Sequence, residues 1–254
     1  MKKYLLYFAL LTFYYVLHTG CAAGPVEMAR TLDVNDAYAQ DVKKISRLNL
    51  NTVLTQIRIE TPPQAAKDEK FVILEPELLA KQLMETFSSC NVFDKLEKLP
   101  AKITAKKDII AEARARKAGL IMSMTIKKCR IYYIGGSEAT LSNTLLWFCG
   151  TVPCFWTHDQ LYGVEVTAET SFLDLASSEE FALPLTSYTT TFKVEGGLSF
   201  LERGFNPLIF ILPPQWCSAN WNNIQELVAS KASSCFLIKL AEQTKKELFQ
   251  KLSS

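Results

Sequence analysis

The run Leu120 to Ile134, LIMSMTIKKCRIYYI, constrains the fold more than any other stretch. It contains no proline or glycine, it is rich in β-branched and aromatic residues, and it stops at Gly135-Gly136. These properties predict one long strand. Two further strands follow. Val164 to Leu175 (VEVTAETSFLDL) alternates through Val164, Val166 and Ala168 to Phe172, and Leu185 to Val194 (LTSYTTTFKV) is made of threonines and aromatics. Asp174 to Glu180 between them reads as a turn. Upstream, Val53, Thr55, Ile57 and Ile59 alternate with more polar neighbours and predict another strand. The loop ETPPQAAKDEK interrupts it, and a short β-like FVIL (Phe71 to Leu74) comes next.

Helices fill the intervals. Glu75-Pro76-Glu77 suits a first helical turn, and Leu79, Leu83 and Phe87 recur at helical spacing until Asn91, with Leu78 and Met84 beside them. A second helix is expected from Asp108 to Lys117, with Asp108 as cap and Gly119 as its C-terminal stop. A third, amphipathic, should run from about Asn223 to Leu252, with Leu227, Cys235, Ile238, Leu248 and Leu252 among its apolar positions. Alternation along the strands implies a small, mostly antiparallel or mixed sheet with helices packed on one face, plus the C-terminal helix. The fold class is α+β, in one domain over 51–254, preceded by a tether over 21–50.

The first residues have a different character. Met1-Lys2-Lys3 is followed by the uncharged YLLYFALLTFYYVL, from Tyr4 to Leu17. The run is shorter than the roughly 20 apolar residues that span a bilayer. A positive start, a short apolar core and small residues after it make a secretory signal over 1–20.

Without Lys2 and Lys3, the 28 basic residues fall to 26, against 26 acidic ones. A neutral chain whose Lys and Arg are dispersed gives no footprint for nucleic acid. Of the 7 cysteines, Cys21 stands alone near the signal. Cys90, Cys129, Cys149, Cys154, Cys217 and Cys235 form an even set, compatible with disulfides in an exported protein. Cys149 and Cys154 flank GTVP and are the first candidate pair. Cys90, Cys129 and Cys235 lie in or beside apolar runs and fit buried thiols equally well.

Motifs for chemistry are sparse. HExxH, GxSxG, the Walker A loop and GxGxxG do not occur. His158 is the one histidine past the signal. Cys149, Cys154 and His158, with Asp159 adjacent, offer zinc-type ligands or a Cys–His nucleophile, but their spacing matches no strong signature and no orienting third group is evident. Glu179-Glu180 falls in the turn. Glu165, Glu169 and Asp174 lie on or near a strand whose outer face should be polar. No carboxylate pair is marked out, so no catalytic residue, metal or cofactor is assigned and a non-enzyme is expected.

Two apolar segments stand out instead: TLLWFCGTVPCFW (Thr144 to Trp156) and FNPLIFILPPQW (Phe205 to Trp216). Both are aromatic and broken by Pro or Gly, and neither is long enough to cross a bilayer as a helix. One reading buries them as core loops. The other brings them together as an exposed face for a protein partner or the membrane interface, carried by Trp147, Phe148, Phe155, Trp156, Phe210 and Trp216.

Two resemblances add to these readings. Leu17-His18-Thr19-Gly20-Cys21 resembles a bacterial lipobox, in which a small residue precedes a cysteine that receives a diacylglycerol before the signal is cut. His18 stands where the pattern has an aliphatic residue, and Leu17 lies one place earlier. The resemblance implies that Cys21 is the acylated start of the mature chain, and Ala22 after it implies the outer membrane, facing the periplasm. Second, NVFDKL (Asn91 to Leu96), ARKAGLIMSMTI (Ala115 to Ile126) and FLDLASSEEF (Phe172 to Phe181) resemble curli-secretion-type and TolB amino-terminal-like envelope domains over about 50–195. Leu120 replaces the usual Asp after Ala-Gly. That resemblance implies a small sheet packed by helices, working through binding and assembly. The expectation is a lipid-anchored envelope protein that binds or scaffolds other proteins in secretion, assembly or transport. The alternatives are an envelope hydrolase using carboxylates or a cysteine, and a secreted, unlipidated, disulfide-containing protein.

Overall fold

The structure is a computed structural model and describes residues 41–42, 48–60, 69–71, 75–150, 152–175 and 183–252. The signal segment, Cys21, most of the 21–50 tether, most of FVIL and Glu179-Glu180 lie outside these residues. The elements are β1 (Leu48–Leu54), β2 (Arg58–Ile59), β3 (Glu69–Phe71), α1 (Pro76–Ser89), β4 (Phe93–Lys98), α2 (Lys106–Ala115), β5 (Leu120–Gly136), α3 (Thr140–Phe148), β6 (His158–Asp174), β7 (Leu183–Ser199) and α4 (Trp221–Leu252). Short 3-10 turns occupy Val152–Phe155, Pro207–Phe210 and Pro214–Trp216. The strands form one mixed sheet of order β4-β1-β5-β6-β7, with β2 and β3 also pairing with β5. The α+β class is as expected.

Chain contacts sort into two compact units. Unit 1 takes Ile134–Tyr162 and Glu195–Ile224 of the described chain. Unit 2 takes the described residues up to Tyr133, Gly163–Val194 and the chain from Gln225 onward. The long strands β5, β6 and β7 contribute to both.

In unit 2, β1 runs parallel to β4 and to β5, with Thr52 beside Leu96 and Leu120. The single strand expected over 53–59 is divided. From Leu54 to Arg58 the chain advances four residues while its partners advance three, from Met122 to Thr125. One extra residue is a β-bulge, which bends the strand and breaks its pairing. Partner contacts show β5, β6 and β7 to be antiparallel: Ser123 meets Ser171 and Arg130 meets Glu165, while Thr167 meets Thr191 and Glu169 meets Ser187.

Side chains of successive strand residues point to opposite faces. On one face, Phe172 stacks near Phe93 and Tyr188, and Phe93 in turn meets Phe87 of α1. The Tyr188 hydroxyl bonds that of Thr244, so α4 is fixed to the same layer. On the other face, Val53, Ile121 and Leu173 pack with Ile109, Ile110 and Ala113 of α2, which adds a second and smaller helical layer. Helix α1 begins at Pro76 and stops where Asn91 turns left-handed, with φ 52, as its sequence predicts. Helix α2 begins earlier than expected, behind Ala105, and Asp108 sits in its first turn instead of capping it. Its stop is the left-handed Lys117, φ 56, and not Gly119. The Gly119 amide instead donates to Asn51 and its carbonyl accepts from Leu175, so the chain is already entering the sheet there.

Candidate functional site

Unit 1 is built around a buried ion pair. Asp159 lies at the start of β6 and Arg203 just after β7, and their side chains are 0% and 1% exposed. Arg203 Nη2 donates to Asp159 Oδ1 at 2.7 Å, and Asn143 Nδ2 of α3 donates to Oδ2 at 2.9 Å. The guanidinium also reaches the carbonyls of Ser199 and Pro214. One charged pair therefore ties together β6, α3, the end of β7 and the Pro214–Trp216 turn. Burial pushes the Asp159 carboxyl above its ordinary range, and Arg203 and Asn143 only partly oppose this.

A second layer of bonds fixes the surrounding backbone. Ser137 Oγ donates to the His158 carbonyl and Thr140 Oγ1 to the Asp159 carbonyl, both at 2.6 Å. They hold the first turn of α3 against β6, and Gly136 leaves room beside it, where a Cβ would lie 2.7 Å from Thr140 Oγ1. Gln160 Nε2 donates to the Gln215 carbonyl, and the Gln215 amide bonds Thr144 of α3. Trp147 Nε1 donates to the Ile209 carbonyl at 2.6 Å. His158 Nε2 lies 3.2 Å from Glu202 Oε2, which also accepts from the Ser199 amide and hydroxyl. Burial acts to raise the Glu202 carboxyl, but His158 and Ser199 outweigh it and bring it down to about 2.

This polar interior carries an apolar exterior. Leu141, Leu145 and Phe148 are spaced four and three residues apart on α3, so they form one stripe, and the stripe is exposed. Phe210 and Ile211 are 77% and 72% exposed, Trp216 66% and Trp156 59%. Val152, Phe205 and Leu208 are exposed as well. The Trp147–Ile209 and Thr144–Gln215 bonds place α3 beside both proline turns, so the two apolar segments are brought together. The six aromatics picked out in sequence divide. Phe148, Trp156, Phe210 and Trp216 face out, whereas Trp147 and Phe155 turn inward against a small core of Phe200, Ile209 and Cys217.

The candidate bridge between Cys149 and Cys154 is not formed. Cys149 ends α3 on the surface and Cys154 points into the unit, and all six cysteines of the described chain are free thiols. Burial raises the Cys154 thiol, and the Asp159 charge raises it further. Burial also raises Cys217, with Asp159 adding to the effect and Arg203 opposing it. Such thiols stay protonated and are poor nucleophiles.

No motif in the sequence marks the Asp159–Arg203 pair, which organises the unit. A signal for it does exist. From Ala139 to Thr157 and from Gly204 to Gln225 there is no charged residue, and Asp159, Glu202 and Arg203 border these segments. Isolated charges beside such apolar chain have few ways to be satisfied except by each other. In unit 2, Glu165 and Glu169 bind Arg130, Lys128 and Lys127 along the outer face of the sheet, as expected of a polar face.

No family model and no curated protein matches the chain. Several solved structures are similar to it. One is a Xanthomonas campestris protein of the DUF330 family, 8% identical, covering 83% of this chain and 92% of that one, with a TM-score of 0.42. A hypothetical protein from Chlamydia trachomatis is 9% identical and covers 77% of this chain and 98% of that one, with a TM-score of 0.36. A neuraminyllactose-binding hemagglutinin homolog from Helicobacter pylori is 13% identical and covers 82% and 90%, with a TM-score of 0.36.

Proposed function

We propose that the chain is a lipid-anchored envelope protein that works by docking and not by catalysis. Cys21 carries the acyl chains that hold it on the outer membrane's periplasmic side, and unit 1 presents its apolar face to another component of the envelope. The observation that carries this reading is the concentration of large exposed side chains on unit 1: Leu141, Leu145, Phe148, Trp156, Phe210, Ile211 and Trp216. Large apolar side chains exposed together on one unit are costly to leave in water and mark an interaction site. The state of the polar groups supports docking over hydrolysis. Asp159 is bound by Arg203 and Asn143, and Glu202 by His158 and Ser199, so these two carboxylates serve the architecture of unit 1.

Two measurements test the proposal. Mass spectrometry of the native N-terminus should find acylated Cys21; an unmodified Cys21, or a chain starting beyond it, sinks the anchoring claim. A photo-crosslinking residue placed at Trp156 or Trp216 should capture a component of the native envelope. The same residue at the exposed Lys81 of α1 should not. Equal or absent capture at all three positions removes the docking claim.

A further inference from the structure

The occupant of the apolar face can be read from what surrounds it. The segments that build the face, Ala139 to Thr157 and Gly204 to Gln225, contain no charged residue. Several of their described polar side chains are turned to nearby backbone or to each other. Ser142 donates to the Ala139 carbonyl, Thr144 to Thr140 and Thr157 to Pro153, while Asn206 bonds Ser218 and Asn223 bonds the Glu202 carbonyl. Many of the backbone amides are similarly engaged. Amides of Ile209, Ile211, Leu212, Trp216 and Cys217 donate within their own turns, as do Gly150 and Trp156. Pro153, Pro207, Pro213 and Pro214 have no N–H to satisfy. A specific protein interface carries about one hydrogen bond per 100–200 Å² and a polar rim, and these segments direct little of either outward. Irregular backbone with satisfied donors, tipped by Trp, Phe and Ile, instead suits the boundary between headgroups and acyl chains, where an unmet N–H is expensive and Trp is favoured.

We infer that unit 1 seats its apolar face in the surface of a phospholipid bilayer, with Trp156, Phe210, Ile211 and Trp216 entering the headgroup–acyl boundary. This rests on the docking reading of the same face and names its partner. Among the described residues no helix is long and apolar enough to cross a membrane, so the contact is interfacial and not spanning. With no charge on the segments, attachment should not depend on anionic lipid or on salt.

The test uses the full anchored chain reconstituted in phosphatidylcholine vesicles, with and without bromine on the acyl chains. Trp156 and Trp216 are exposed, whereas Trp147 and Trp221 are half-buried. Bromine should quench the tryptophan emission, and the W156F/W216F double variant should lose most of that quenching. Replacing a third of the lipid with phosphatidylglycerol should leave the result unchanged. Emission that ignores bromine but is quenched by aqueous acrylamide overturns the inference, as does quenching that survives in the double variant. If bromine has no effect while position 156 or 216 crosslinks to an envelope protein, the docking reading stands and the bilayer is the wrong partner. If neither occurs, both fall.

Discussion

Unit 2 and unit 1 solve opposite problems with the same three strands. Unit 2 buries Leu54, Leu83, Phe87, Leu120, Met122 and Phe172 and turns charged rows to solvent, with Arg130 and Lys128 on Glu165 and Lys127 on Glu169. Its stability comes from removing apolar area from water, roughly 25 cal/mol per Å². Unit 1 keeps a buried Arg203–Asp159 pair inside and leaves Leu141, Phe210, Ile211 and Trp216 outside. Side chains left outside cannot also serve as the core. Directional bonds therefore hold the shape, and a buried ion pair specifies geometry more than it stabilises.

The largest expected effect tests the first half of that contrast. Phe172 is fully buried and touches the rings of Phe93 and Tyr188. Phe172→Ala should cost about 3–5 kcal/mol through lost burial and the cavity left behind. Denaturant unfolding of the full chain measures it, and a loss below about 1 kcal/mol would mean that the aromatic layer is not what holds unit 2.

Arg203→Ala should cost somewhat less, about 3 kcal/mol, because Asp159 can escape its uncompensated burial by taking up a proton. Its folded pKa, already raised in the native chain, rises further without Arg203 and stays above the unfolded value of about 3.9. The variant is therefore most stable below that value and loses stability as pH rises through the folded one. Hydrogen exchange should locate the damage in 139–157 and 204–224. Equal loss of protection throughout unit 2 would break the comparison, since one cooperative body would then respond as a whole. The paired replacement Arg203→Met with Asp159→Leu sharpens it. That variant should recover much of the stability while loosening the Pro214–Trp216 turn.

Glu202 gives a third, smaller effect with a defined pH window. Its carboxyl lies at about 2 in the folded chain against an ordinary 4.5. The stabilisation is complete above the ordinary value and lost as pH falls from about 4.5 toward 2. About 2 kcal/mol is at stake once screening is allowed for. Glu202→Gln should flatten the acid limb of a circular-dichroism titration, and an unchanged limb would show that the His158–Glu202 contact contributes nothing.

The comparison also explains which parts could be read in advance. Helix α1 was legible from Pro76, Leu79, Leu83, Phe87 and Asn91 because local spacing and a left-handed stop fix it. The long strand of Leu120 to Ile134 was legible for the same reason, and the α+β class followed from both. The bulge between Leu54 and Arg58 was not, because it exists only relative to the register of β5. The starts of β6 and β7 at His158 and Leu183 lie before the alternating runs, since strand pairing and not alternation sets them. The two apolar segments were noticed as a pair, but their burial was undecidable from composition. That depended on Asp159 and Arg203, 44 residues apart in sequence, and pairing across such distances leaves no periodic trace.

The smallest effect on stability is expected where the effect on function should be greatest. Phe210 and Ile211 are 77% and 72% exposed, and their backbone is held by Asn206 and Leu208 independently of their side chains. Phe210→Ser with Ile211→Ser should change unfolding free energy by no more than about 1.5 kcal/mol, the upper worth of the edge-on contact between Phe210 and Phe205. In a core, the same pair of changes would cost several kcal/mol. The double variant should also stay monodisperse at higher concentration than the native chain in light scattering, because the apolar area that drives self-association is reduced. A large loss of stability would show that these side chains support unit 1 from within, and the contrast between an apolar core in unit 2 and an apolar exterior in unit 1 would collapse.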